Sequence, residues 1–350
     1  MQKRSKKSIQ LRKSQKNIGP VTTSLKLLAL LTTILFGCSP EKQPLEIDSG
    51  SEESAFQPEV VSLLFPFHAG GIDFLPVRGG SFMMGSPEDE NGRDPYRELP
   101  FMATLTQDYF LSKTEVTRAH FGEFFQDDGE GFSNCNELDC PAQFLSWHMA
   151  VAYSVYFSTL VGVSPCYECV GEGRDVLCSS LYEGSEIYTC PGFRLPTEAE
   201  WEKAARAGVE TAIWTPYGGA EIPVGVEHSC DSDWTFDDGS SLGDWAWYCA
   251  NADDRAHPVG QKLPNAYGFH DMSGNVWEWA HDGDWEYPNG AMTNPVGPPN
   301  IRHSLRGGRW GNEPYALRAA KRIQPYPTFW DGNFGFRLAI SADGAPDQSP

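Results

Sequence analysis

An irregular, loop-rich α+β domain held together by disulfides is what this sequence predicts. Three observations carry that prediction. Glycine and proline number 35 and 26 of 350 residues, too frequent a punctuation for a helical protein. Only three segments show helical periodicity, and the apolar runs between them are short and bounded by turn residues. Nine cysteines leave an even eight once the first is assigned to an export signal. Hydrophobic residues make up 40% of the chain and aromatic residues 13%, which is ample for one packed core. No internal repeat and no second domain is visible.

The chain opens with Lys3, Arg4, Lys6, Lys7, Arg12, Lys13, Lys16 and Lys26, then an apolar run over residues 27–36, then Gly37-Cys38-Ser39-Pro40. A basic start, a short apolar stretch and a small residue before the cut read as a secretory signal over residues 1–37. The run is too short to span a bilayer as a stable helix. Leu35-Phe36-Gly37-Cys38 resembles a bacterial lipobox. That resemblance implies lipidation of Cys38 and a membrane anchor of several acyl chains. Phe36 departs from the small residue usual there, so simple secretion and an uncleaved anchor stay open. Residues 38–70 are acidic and rich in Ser, Pro and Gln, a flexible tether unable to build a core; residues 343–350 form a similar tail. These readings place the chain in a bacterial cell envelope, lipid-anchored, periplasmic or extracellular.

Charge narrows the partners. The formal net charge is −20, yet residues 1–37 hold eight basic and no acidic residues. The remainder sets 19 basic residues against 47 acidic ones, a net of −28. Such a body repels phosphate, which excludes nucleic acid. It suits cations, calcium among them, although a solvated acidic surface explains many of these residues equally well.

Residues 71–342 read as the domain. Residues 77–85 form a strand, a Gly turn and a second strand, and residues 104–111 form another strand. Residues 117–125 place Phe121, Phe124 and Phe125 on one helical face. Ser146 caps a helix through Leu160, with Trp147, Val151, Val155 and Phe157 as its apolar surface. Thr197-Glu198-Ala199-Glu200 is a capping box, and Gly208 stops the helix it starts.

Eight cysteines in an exported chain favour four disulfides. Cys135 and Cys140 lie in one turn, Cys230 and Cys249 flank a Gly/Asp-rich loop, and Cys166, Cys169, Cys178 and Cys190 share an insertion. Cys166-x-x-Cys169 also has zinc-ligand spacing, but no second Cys-x-x-Cys accompanies it, and an oxidising compartment opposes it. A redox role needs an exposed thiol of low pKa.

Five segments carry a family resemblance: Arg78-Gly-Gly-Ser-Phe-Met-Met-Gly85, Phe193-Arg-Leu-Pro-Thr-Glu-Ala-Glu-Trp-Glu202, Asn265-Ala-Tyr-Gly-Phe-His-Asp-Met-Ser-Gly-Asn-Val-Trp-Glu-Trp279, Leu305-Arg-Gly-Gly-Arg-Trp310 and Asn333-Phe-Gly-Phe-Arg-Leu338. Together they resemble the formylglycine-generating enzyme, or sulfatase-modifying factor, family, whose fold is a variant of the C-type-lectin-like fold. From the residues alone, Asp271 and Glu278 bracket a turn that can aim carbonyls inward, an oxygen cage for calcium; a tight turn with Glu278 in a salt bridge is the alternative. The resemblance implies calcium at Asp271, Gly274, Val276 and Glu278, the middle two through main-chain oxygen. A second family calcium site would use Asn251 and Ala252, with Asp253 or Asp254 in place of a shortened loop. Trp277 and Trp279 share a face and either pack or border the family's substrate groove.

The family's two copper-binding cysteines fall near Asn312 and Leu317, and no Cys follows Cys249. An amide and an alkyl group cannot hold copper(I), which takes soft thiolates. Copper is therefore not expected, and catalysis is in doubt. Relatives of the ergothioneine sulfoxide synthase type add an iron-binding helical domain; the eight His here are scattered and no such domain is present. The expectation is a calcium-stabilised binding module for a protein, peptide or glycan, with Trp277, Arg309, Trp310 and Asn312 at the groove. Tyr315, Tyr326, Phe329 and Trp330 are further candidates to flank it. The alternative is a sulfatase-modifying enzyme with a non-standard site. Arg318, Lys321, Arg322 and Arg337 either bind an anion or neutralise buried carboxylates.

Overall fold

Capping residues set the helices, and short apolar runs between turns set the strands. The computed structural model describes residues 64–125, 135–215, 219–237 and 239–346. The signal, Cys38, most of the tether and the last four residues lie outside them. In chain order the described elements begin with β1 (Phe67–Ala69), β2 (Ile72–Val77), β3 (Gly80–Met84), β4 (Phe101–Leu105) and β5 (Tyr109–Ser112). Helices α1 (Arg118–Phe124) and α2 (Trp147–Val161) follow, then the hairpin β6 (Tyr167–Val170) and β7 (Leu177–Ser180). Next come α3 (Glu198–Arg206), α4 (Leu242–Trp245), β8 (Trp277–Gly283), β9 (Met292–Thr293) and β10 (His303–Arg306). β11 (Arg322–Ile323), β12 (Phe334–Phe336) and β13 (Ala339–Ser341) close the domain.

These strands build four small sheets, ordered β1-β2-β5-β13, β11-β10-β8-β12, β3-β4-β9 and β6-β7. The first sheet joins the two ends of the domain, because β13 pairs antiparallel with β5. Most of the core is one cluster. Its centre is a set of rings in which Phe193 lies 5.1 Å from Phe74 and 4.7 Å from Phe157 of α2.

All three predicted helices form. Thr117 caps α1, and Ser146 Oγ accepts the Met149 N–H at 3.2 Å to start α2. The α3 capping box closes from both sides: Thr197 Oγ1 accepts from the Glu200 N–H, and Glu200 Oε2 accepts the Thr197 N–H. The same Glu200 receives both terminal nitrogens of Arg194 at 2.6 and 2.7 Å.

Two readings need correction. The strand over residues 104–111 is two strands, β4 and β5, split by a turn. Asp108 in that turn accepts the Gly79 N–H at 2.7 Å and the Arg78 guanidinium at 2.6 Å, tying it to the turn between β2 and β3. Residues 67–69, read as the end of the tether, form β1 because Phe67 stacks on Phe74 at 4.9 Å.

All eight remaining cysteines are bonded: Cys135–Cys140, Cys166–Cys190, Cys169–Cys178 and Cys230–Cys249. The insertion cysteines therefore pair among themselves, nested. All four members of the basic cluster meet buried carboxylates, Lys321 through Glu98 at 3.7 Å. Arg318 meets Glu90 and Glu98, Arg322 meets Glu198, and Arg337 meets Glu278, with every partner fully buried.

Candidate functional site

The longest motif forms the tight turn that leads into β8. Gly274 has φ +88, and the Trp247 carbonyl lies 2.1 Å from where a Cβ would stand, so no other residue fits. Asn275 follows in the left-handed region at φ 57 and is fully buried. Its Oδ1 accepts the His257 N–H, and its Nδ2 donates to Glu115 Oε1 and to the His257 carbonyl.

Trp277 and Trp279 share one face of β8, as the period-two pattern requires. Both are core residues, and Trp277 is only 4% exposed. Its expected place in a groove is therefore corrected: the Trp277 side chain packs into the main core. Glu278, on the opposite face, binds Arg337 through two contacts at 2.5 and 2.6 Å and accepts the Trp201 indole N–H at 2.7 Å. A guanidinium so placed neutralises this carboxylate. Glu278 thus forms the salt bridge that was the alternative reading of this turn.

Other buried carboxylates remain. Asp271 Oδ2 accepts the Gly260 N–H at 2.7 Å, while its Oδ1 has no hydrogen-bond partner among the described residues. Among the same residues Glu115 Oε2, also buried, has none either. Burial pushes the Glu115 carboxyl well above the usual range, and the charges of Asp271 and Glu278 push it further. Burial raises Asp271 too. A buried carboxylate oxygen without a donor is one that a hard cation can satisfy. Asp271, an expected calcium ligand, and Glu115 each keep one such oxygen.

The second expected calcium site does not fit. Asn251 spends its side chain on the turn, accepting from the Tyr248 N–H and donating to the Ala246 carbonyl, both at 2.9 Å. The Ala252 carbonyl is 2.9 Å from His257 Nε2.

Of the four expected groove residues, Trp310 lines a cavity, and Arg309 and Asn312 stand outside its described lining. A cavity of about 270 Å³ is lined by Trp310, Phe144, Gln143, Asp331 and Asn333, among others. The Arg309 guanidinium lies 4.9 Å over the Trp310 ring and reaches Asn333 Oδ1 at 3.3 Å. Asn312 Oδ1 accepts the Arg309 N–H, and the Asn312 carbonyl accepts from Cys249. Leu317 is fully buried in the core. Near the cavity, Phe329 and Trp330 are 50% and 40% exposed, and the Arg174 guanidinium lies 4.3 Å over Trp330. The Cys135–Cys140 bond packs in the same small cluster as Trp310 and Val276.

Comparison with known proteins now fixes the family. Residues 69–342 match the sulfatase-modifying factor enzyme 1-like domain. The chain belongs to this family. A formylglycine-generating enzyme of Thermomonospora curvata is 36% identical over 292 residues, 76% of this chain and 92% of that protein. The chaperone protein LppX of Paenibacillus barcinonensis is 29% identical over 68% of this chain and 78% of its own length. Among solved structures, the Treponema denticola variable protein 1 superposes with a TM-score of 0.60 at 24% identity, over 79% of this chain and 98% of its own. PvdO from Pseudomonas aeruginosa superposes with 0.55 at 22% identity, over 79% and 99%. These likenesses establish the sulfatase-modifying-factor fold.

Around this turn and the Trp310 cavity, sequence reasoning missed Glu115, Asp331 and Asn333. Glu115 gave one signal, an acidic residue beside Val116 just before the Thr117 cap. Asp331 lies just ahead of the fifth motif and Asn333 opens it, and both become neighbours of Trp310 only through the pairing of β12 with β8.

Proposed function

We propose that this chain is a lipid-anchored envelope protein whose sulfatase-modifying-factor domain binds a protein, peptide or glycan at the Trp310 groove without copper oxidase chemistry. The observation that carries the reading is the fate of the family's cysteine positions. Leu317 is a core side chain, and Asn312 braces the loop that holds Arg309. Soft-ligand chemistry needs thiolate sulfur, and the cysteines of the domain are spent on disulfides. Cys38 remains the candidate for lipidation, and four disulfides support folding in an oxidising compartment.

Incubation of the purified domain with a Cys-containing sulfatase-motif peptide, copper and oxygen should yield no aldehyde. On peptide and glycan arrays it should retain a ligand. Trp310→Ala should weaken that retention by about 2 kcal/mol, the scale of a buried aromatic anchor. Aldehyde formation would instead establish an enzyme with a non-standard site.

Calcium belongs to the same reading as a structural ion at Asp271, Glu115 and the main-chain oxygens of Gly274 and Val276. When bound it neutralises buried carboxylates and stiffens the turn. Calcium in excess should raise the melting temperature by several degrees, as mass action on the folded state requires. Glu115→Gln should remove most of that increment. An increment of full size in the variant would count against the assignment.

A further inference from the structure

A second cavity, of about 810 Å³, shares no lining residue with the Trp310 groove. Its walls come from the start of α2, the β6–β7 hairpin, β8, β10 and the segment 296–300. Val296, Pro298, Pro327 and Tyr182 give it apolar sides, and three imidazoles line it, those of His148, His281 and His303.

These walls are braced. The Cys169–Cys178 bond staples the hairpin, and the Cys178 N–H donates to His148 Nδ1 at 3.1 Å. Trp147 stacks on His303 at 4.0 Å and donates its indole N–H to the Ala280 carbonyl at 2.9 Å. His281 Nδ1 lies 2.9 Å from the Tyr167 hydroxyl.

The same contacts fix two tautomers. His148 Nδ1 accepts a backbone N–H, so a neutral ring carries its proton on Nε2 and is a donor there. His303 Nδ1 sits 3.1 Å from the His281 carbonyl, so it holds the proton and Nε2 is a bare acceptor. Burial pushes His281 down to about 3 and His303 down to about 4, and it lowers His148. The rings are therefore uncharged at neutral pH. Among the described residues no Lys or Arg lines the cavity, and Glu183, the carboxylate in its lining, is exposed. A charged ligand would lose its hydration with no counter-charge in return. A sugar would leave most of its hydroxyls against apolar walls. A metal is not favoured: His148 is committed as a donor, and among the described residues the three rings do not converge as a ligand set.

We propose that this cavity binds an uncharged, planar heteroaromatic molecule with a carboxamide-like edge. The ring packs between the apolar walls. The carbonyl of the edge accepts from His148 Nε2, and its N–H donates to His303 Nε2. The volume falls in the range of small-molecule sites, which combine apolar walls with a few placed polar groups.

Nicotinamide and its anionic isostere nicotinate test this directly. Titration of the mature chain by calorimetry and by saturation-transfer NMR should show nicotinamide binding, with nicotinate weaker by at least about tenfold. Ser179→Trp, an exposed hairpin position that lines the cavity, should abolish binding with an unchanged melting temperature. Trp310→Ala should bind nicotinamide as the parent does, which separates this site from the groove. No binding of nicotinamide, equal binding of nicotinate, or full binding by a folded Ser179→Trp variant would each overturn the proposal.

Discussion

Arg337→Met is expected to destabilise the domain by about 3–5 kcal/mol in denaturant unfolding, the cost of stranding a buried carboxylate. Arg337 is fully buried and holds both oxygens of Glu278. It also donates to the Ser112 and His270 carbonyls, so it ties β5 and the turn before β8 to the end of the chain. Without it Glu278 keeps the Trp201 indole, and Glu115 and Asp271 lose the cation whose field offsets their mutual repulsion. A methionine fills the volume but supplies no charge. Adding Glu278→Gln to the variant should recover part of the loss, because the stranded charge is then gone, and the two effects should be clearly non-additive. Arg337→Lys should recover less than charge alone suggests, since an ammonium cannot reproduce the two-pronged contact. A loss below about 1 kcal/mol for Arg337→Met would mean that water or a cation already neutralises the cluster.

That cluster shows where sequence reasoning stopped. Local chemistry was legible: the Thr197 capping box, the Ser146 cap, the glycine of the Ser273-Gly274-Asn275 turn and the shared face of Trp277 and Trp279 depend on residues a few positions apart. Ion-pair partners were not. Arg318 meets Glu98 across 220 positions and Arg306 meets Glu202 across 104, so spacing carries no information about either. Glu278 shows the consequence. In sequence it is an acidic residue in a calcium-like motif, and only the return of the chain through β12 reveals that Arg337 occupies it. Glu115 is the converse case, unremarkable in sequence yet buried with an orphaned oxygen. The larger cavity was invisible for the same reason. His148, His281 and His303 looked scattered along the chain, and α2, β8 and β10 bring them to the lining of one cavity.

Removing the Cys166–Cys190 bond, as Cys166→Ala with Cys190→Ala, should cost about 3 kcal/mol, whereas Cys135→Ala with Cys140→Ala should cost about 2 kcal/mol. The difference follows from loop closure, since the first pair spans 24 positions and the second spans 5. The 166–190 loop contains the β6–β7 hairpin, so the unfolded chain gains the freedom of the whole insertion when the bond is lost. Cys166 and Cys190 are also fully buried in the main core, so alanine removes packed sulfur as well as the cross-link. Chemical unfolding under oxidising conditions measures both variants against the parent. If the order reverses, native packing around Trp310, and not chain entropy, dominates the contribution of the short bond. The third pair, Cys169–Cys178, sits inside the same loop and braces the strand that orients His148. Its loss should therefore loosen the larger cavity more than it lowers global stability, which amide hydrogen exchange along residues 167–180 can resolve.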